Sequence, residues 1–158
     1  MNDQPQQAPF MKLGEIGLNN FAPYLMNRIM GRYNESLREE MVERGLTTPK
    51  ARTLAVLSVN DGLLIRDLSV YTVTEQSTLS RALDQLQSDG LVRRETDTLD
   101  QRAVRVFLTD DGRAAFEALW PQMSAAYSRM FRGITEDERA AFIGTLRKML
   151  TNVRRHEL

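Results

Sequence analysis

The stretch from Arg66 to Val92, RDLSVYTVTEQSTLSRALDQLQSDGLV, restricts the fold more than any other part of the chain. It reads as a short helix, a tight connection and a longer helix that stops at Gly90. In the longer helix Leu79, Ala82, Leu83 and Leu86 recur at helical spacing, which gathers them on one face and predicts their burial. Opposite them lie Ser77, Arg81, Asp84 and Ser88, flanked by Thr78, Ser80 and Gln85. That face offers hydrogen-bonding groups without bulk, as a helix needs to enter the major groove of DNA with its N-terminal turn nearest the bases. Thr74 is expected to cap that turn. In the shorter helix Ile65, Leu68 and Thr72 share a face, and small Ser69 beside Leu68 lets two helices cross steeply and closely. Val73 is expected to plug the junction. The pattern is that of a helix-turn-helix, although an ordinary helical hairpin in a bundle shares it.

Directly after Gly90 the sequence LVRRETDTLDQRAVRVFLT holds two strand-like runs, residues 91–96 and 102–108, joined by the polar loop DTLDQ. Val104, Val106 and Leu108 alternate with Arg105 and Phe107, the period of a half-buried strand. Residues 63–65 can add a third short strand beside this hairpin. Here the chain resembles the MarR (multiple antibiotic resistance regulator) family of winged-helix transcription factors, through STLSRALDQLQSDGLVRR and then DQRAVRVFLTDDG. The resemblance is specific at Ser77-Thr78-Leu79-Ser80-Arg81, and again at Asp100-x-Arg102 followed by Val106-x-Leu108-Thr109 and Gly112.

The resemblance implies a mainly α fold with a small β-hairpin wing. In a single protomer, a winged helix-turn-helix lobe over about residues 47–112 would lie between dimerisation helices at about 1–45 and 113–158. It also implies a sequence-specific regulator, a repressor, binding double-stranded DNA as a homodimer. Half-sites about one helical turn, ~34 to 36 Å, apart would then form a pseudo-palindromic operator. The expected DNA-binding residues are Gln76, Ser77, Thr78, Ser80 and Arg81 on the helix, with Asp100 and Arg102 on the wing. An arginine at position 81 can reach guanine O6 and N7 together, and one at position 102 suits the negative potential of a narrow minor groove.

Charge argues less simply. The whole chain is neutral, with 21 basic and 21 acidic residues, although phosphate neutralisation dominates nucleic-acid affinity. Between Asp61 and Thr109 six arginines face eight carboxylates. DNA binding therefore requires arginines concentrated on one surface with the acids turned away, rather than a basic field. A helical protein-interaction adaptor, the alternative reading, would explain the neutrality and leave the wing signature unexplained.

Residues 1–12, rich in Gln, Pro and Asn, read as a loose arm, and MNDQPQQAPF has no basic region followed by an apolar core, so no secretory signal is expected. One long helix is expected from about Leu18 to Gly45, through Phe21, Leu25, Ile29, Tyr33, Leu37 and Met41. Thr47 or Thr48 with Pro49 begins another. Beyond the wing, Thr109 caps a helix bearing Phe116, Leu119, Trp120, Met123 and Tyr127, with Pro121 expected to bend it without breaking it. Thr135 to Glu138 forms a capping box for a last helix bearing Phe142, Ile143, Leu146, Met149, Leu150 and Val153. These apolar stripes exceed what one small lobe covers, so a second copy is expected against them.

Enzyme chemistry has little material here. There is no cysteine, and the only histidine, His156, lies near the carboxyl end. No Gly-rich phosphate loop is present, and neither a cofactor nor a metal site is expected. No run of about 18 apolar residues exists, so no membrane association is expected and the address is cytoplasmic. The family resemblance implies a pocket for an aromatic or phenolic effector between the dimer helices and the DNA-binding lobe. Tyr24 and Arg28, four residues apart on the first helix, are the candidate ring and carboxylate partner for such a ligand.

Overall fold

The computed structural model describes residues 11–158, so most of the arm expected over residues 1–12 lies outside the described residues. The chain forms two compact units that divide after Ser36. In the first, a short helix α1 (Leu13–Ile16) and a 3-10 turn (Leu18–Asn20) precede a 22-residue helix α2 (Ala22–Glu43), whose last turns from Leu37 belong to the second unit. The long helix thus starts four residues later than the apolar spacing predicts. Pro23 has no N–H to donate to residue 19, so a helix running straight from Leu18 would lack that bond; in the first turn of a helix the donor is not needed. The chain breaks at Phe21, which is extended at φ −95° and ψ 101°.

Within the second unit, Gly45, at φ +66°, ends α2. The N–H of Leu46 donates to Met41 O at 2.8 Å and that of Gly45 to Val42 O at 3.0 Å, which satisfies the last carbonyls. Helix α3 (Thr48–Val59) follows, capped by Thr47, and its buried Ala51, Leu54 and Leu57 place it at the centre of the lobe. It packs against both α5 (Gln76–Ser88) and α6 (Asp110–Met130). Leu54, Leu57, Leu68, Leu79, Leu83, Leu86, Val106 and Leu119 form the fully buried core, each stabilising the fold by roughly 1.5 to 3 kcal/mol relative to exposure.

Three antiparallel strands complete the lobe, β1 (Leu63–Leu64), β2 (Val92–Thr96) and β3 (Val104–Leu108), with β3 in the middle. Leu63 stands opposite Val106, and Val92 opposite Leu108. The alternation of β3 buries Val106 and Leu108, while Val104, Arg105 and Phe107 stay half-buried. Ile65 begins helix α4 (Ile65–Tyr71) instead of extending β1.

Two local expectations fail at the turn between α4 and α5. Val73 does not plug the junction: at φ +51° its side chain is directed outward and is 82% exposed. Thr72 fills the space instead, buried, with its hydroxyl donating to Leu68 O at 2.8 Å. Thr74 does not cap α5 either. That helix starts at Gln76 with Glu75 in the cap position and no side-chain cap, one residue too late for Thr74, whose hydroxyl donates back to Thr72 O at 3.1 Å.

Both C-terminal helices start at the caps expected for them. Thr109 Oγ1 accepts the N–H of Gly112 at 3.0 Å to start α6, which runs unbroken through Pro121. Thr135 and Glu138 form the capping box of α7 (Glu136–Val153). The Thr135 N–H and then the Thr135 hydroxyl, both donating to Glu138 Oε2, hold the Glu138 carboxyl below the ordinary carboxylate range. Helix α7 buries none of its residues: Phe142, Leu150 and Val153 are all exposed, as are Trp120 and Tyr127 on α6.

Candidate nucleic-acid interface

The buried stripe of Leu79, Ala82, Leu83 and Leu86 fixes which face α5 turns outward. Gln76, Ser77, Thr78, Ser80 and Arg81 are all exposed on it, so the five helix residues expected at DNA share one open surface at the N-terminal end. Asp84, also exposed, is drawn to the hairpin. Its carboxylate accepts from Arg94 on β2, whose Nε also donates to Gln87 Oε1 at 2.5 Å. Helix and wing are thus pinned side by side through one guanidinium.

The wing loop is held by two aspartates. Asp100 Oδ1 accepts the backbone N–H of Arg102 at 2.9 Å, so its carboxylate fixes the loop and leaves the guanidinium free. Asp97 is buried and carries more. Its Oδ1 accepts from Arg105 Nε at 2.5 Å and its Oδ2 from the N–H of Asp100 at 3.2 Å, while its own N–H donates to Ala103 O at 2.9 Å. Arg105 continues to Gly62 O at 2.8 Å, tying the loop to the start of β1. The Arg105 hydrogen bond, assisted by the N–H groups of Asp100 and Leu99, holds the Asp97 carboxyl below its ordinary value against the opposing effect of burial. Since residues 97–103 are closed by these bonds, β3 starts at Val104, two residues later than the sequence pattern suggests, while β2 ends at Thr96 as expected.

Sequence reasoning missed Asp97, Arg105 and Asp61. Asp61 Oδ1 accepts the N–H of Leu108 at 2.9 Å, and its carboxylate lies 3.8 Å from Arg113. An arginine alternating with valines reads as solvent-facing, and its partners here are 8 and 43 residues away. No local signal announces such a bond.

Pairing sorts these charges, and of the eight carboxylates only Glu75 and Asp100 make no ion pair with any described residue. Of the six arginines between Asp61 and Thr109, Arg66 meets Asp67, Arg93 meets Glu95, Arg94 meets Asp84 and Arg105 meets Asp97. Arg93 also lies over the Phe107 ring, 4.4 Å from its centroid. Asp61 and Asp89 find Arg113 and Lys50 from outside the segment, at 3.8 and 3.9 Å. Arg81 and Arg102 alone among the six make no ion pair with any described residue, and both are exposed. The two cations left free are the two that the sequence assigns to the major and minor grooves.

Comparison with known proteins gives the arrangement its kinship. The sequence profile of the MarR family matches residues 44–103, the core of this lobe. The crystal structure of a MarR-family transcriptional regulator from Silicibacter pomeroyi is 61% identical, covers 94% of this chain and 100% of that one, and superimposes with a TM-score of 0.90. The chain belongs to the MarR family. It is thereby a transcriptional regulator and not an enzyme, with the winged-helix fold expected from its sequence. The regulator is also similar to the transcriptional repressor IacR of Pseudomonas putida, at 26% identity over 77% of this chain and 73% of that protein. The structure of Bordetella bronchiseptica BpsR, a protein whose DNA binding is regulated by 6-hydroxynicotinic acid, is 27% identical. It covers 81% of this chain and 97% of that one, with a TM-score of 0.70.

The expected effector residues meet each other. Arg28 donates to Tyr24 Oη at 2.8 Å, with the guanidinium carbon 5.7 Å from the ring centroid. Among the described residues no helix is long and apolar enough to cross a membrane.

Proposed function

We propose that this MarR-family regulator is a cytoplasmic homodimer that binds a pseudo-palindromic operator in double-stranded DNA and represses transcription until a small aromatic or phenolic ligand releases it. The observation that carries the reading is the freedom of Arg81 and Arg102 where the other four arginines between Asp61 and Thr109 are ion-paired. Gln76, Ser77, Thr78, Ser80 and Arg81 would contact the major groove, and Arg102, on the loop that Asp100 shapes, the neighbouring minor groove. A fixed loop and an unpaired guanidinium suit binding better than a surface ion pair, which would contribute only about 0 to 1 kcal/mol.

The division into a lobe at about 47–112 and dimerisation helices at about 1–45 and 113–158 is supported by α7, none of whose residues is fully buried in the single chain. Its exposed Phe142, Leu150 and Val153 require cover that a second copy supplies. BpsR supports the ligand class, since the compound that regulates its DNA binding is an aromatic acid. Tyr24 and Arg28 are the proposed partners for such a ring and carboxylate, which would have to compete with their mutual hydrogen bond. IacR, a repressor, supports the direction of control.

Selection of genomic fragments by the purified protein tests the reading, with light scattering to count copies. A recurring pseudo-palindrome bound by a dimer is the expected result. A folded dimer that enriches no sequence would favour the protein-interaction adaptor instead.

A further inference from the structure

Between the wing and the helix pair lies a cleft of about 430 Å³. Gln76, the first residue of α5, stands on one side and Asp100 and Arg102 of the wing on the other, with Leu64 and Val104 among the apolar residues between and Arg66 also lining it. The cleft therefore separates the two elements that the proposed function sends into adjacent grooves. In any duplex, one sugar-phosphate strand divides a major groove from the minor groove beside it. A protein that enters both must leave room for that strand.

We propose that this cleft seats the dividing strand, with Arg66 as a phosphate contact that the expected interface lacked. The inference rests on the DNA-binding reading above and adds a site to it. Arg66 suits the task because it is loosely held. Its side chain is 76% exposed and its one carboxylate neighbour, Asp67, is adjacent in the chain at 3.5 Å. Apolar side chains beside it match the carbon face of deoxyribose, and the Gln76 amide adds a neutral donor. Of the two carboxylates lining the cleft, Asp97 has its charge balanced by Arg105, and Asp100 keeps its own against the guanidiniums of Arg66 and Arg102. Asp97 is occupied by Arg105 and by the N–H of Asp100, and Asp100 by the N–H of Arg102. A guanidinium placed on a phosphate positions the protein without reading sequence.

The test combines Arg66→Gln with selected operator duplexes in which each phosphate in turn is replaced by an uncharged methylphosphonate. Wild-type protein should lose roughly tenfold in affinity at one position per half-site. Arg66→Gln should show that loss already on unmodified DNA, equally on operator and random sequence, and lose nothing further at that position. Its salt dependence should be shallower by about one ion per half-site. Equal losses for both proteins at every substituted phosphate would overturn the inference while leaving the DNA reading intact. Failure of the wild-type protein to bind any duplex would overturn both. Because Arg66 is exposed, unchanged thermal unfolding of the variant separates a lost contact from a lost fold.

Discussion

Adding one methyl group at Gly112 should damage the lobe more than removing most surface charges. A Cβ built there meets Leu91 O at 1.9 Å, Leu91 C at 2.9 Å and Leu108 Cδ2 at 3.1 Å, whereas carbon atoms in comfortable contact stand about 3.5 to 4.0 Å apart. Two of the three obstacles are backbone, and that backbone is tied down. Leu91 O accepts the N–H of Thr109 at 3.1 Å, Gly90 O accepts the Thr109 hydroxyl at 2.6 Å, and the N–H of Leu91 donates to Leu86 O at 2.9 Å. Relief requires the start of α6 to withdraw from the turn that joins α5 to β2. Overpacking costs about 1 to 3 kcal/mol and each hydrogen bond lost about 1 kcal/mol, so Gly112→Ala should destabilise the fold by about 3 kcal/mol. For a domain of this length, that lowers Tm by roughly 6 to 12 °C. Scanning calorimetry at fixed protein concentration is the appropriate assay, since dimerisation would make Tm depend on concentration. A variant melting within 2 °C of wild type, on the order of less than 1 kcal/mol, would refute the reasoning. It would show that the turn gives way without loss.

On operator DNA, Arg81→Ala should cost roughly 1 to 3 kcal/mol and blur preference at one base pair per half-site; an equal loss on random DNA in a binding titration would make Arg81 a phosphate contact. Arg102→Ala should weaken operator binding and its salt dependence with Tm nearly unchanged, and Asp100→Ala should weaken it less, by loosening the loop; unchanged affinity across a salt series would remove the wing from the interface. Val73→Asn should raise Tm by about 2 to 4 °C, because a β-branched residue at φ +51° is strained by roughly 1 kcal/mol and its exposed side chain contributes no packing; a lower Tm would show the valine is needed. Because the Asp97 carboxyl sits below its ordinary 3.8 in the folded protein, its contribution is fully present above that value and is lost as pH falls through the folded one. Unfolding measured between about pH 5 and pH 2 should therefore decline more steeply for wild type than for Asp97→Asn, and parallel curves would dissociate Asp97 from acid lability.

Features of the lobe that repeat along the chain were legible in its sequence. The stripe Leu79, Ala82, Leu83 and Leu86 identifies a helix with one buried face, and the structure buries all four. Thr109 and Thr135 announce their helices because a cap and its partner lie three residues apart. What failed depended on a single dihedral or on distant chain. Val73 was misplaced because one residue with positive φ reverses the direction of its side chain, and valine carries no sign of adopting it. The Thr74 cap missed by one residue, a displacement smaller than a propensity argument resolves. Asp97 was passed over because its significance lies in Arg105, and through that in a carbonyl at Gly62, neither of which shares a periodic pattern with it.

That same bond explains how, on the proposed reading, a neutral chain can still direct arginines at DNA. An aspartate near DNA ordinarily opposes binding, and a stretch such as Asp61 to Thr109, with eight carboxylates to six arginines, would repel phosphate if every charge stood free in solvent. Here the acids hold the frame. Asp97 fastens the wing loop to β3, and Asp84 fastens the recognition helix to β2 through Arg94. Asp61 meets the N–H of Leu108 beside the start of α6. Each such bond cancels one arginine or occupies one carboxylate, and the Asp84–Arg94 bond also fixes helix against wing. The arginines left over, Arg81 and Arg102, therefore stand on a helix and a wing that one of these pairs, Asp84 with Arg94, joins. A lobe built this way gains little from long-range attraction, which salt would screen within about 10 Å, and depends on local fit. On the proposed reading, neutrality reduces attachment to random DNA, where only phosphate charge counts, while the oriented arginines retain the contacts that distinguish one sequence from another.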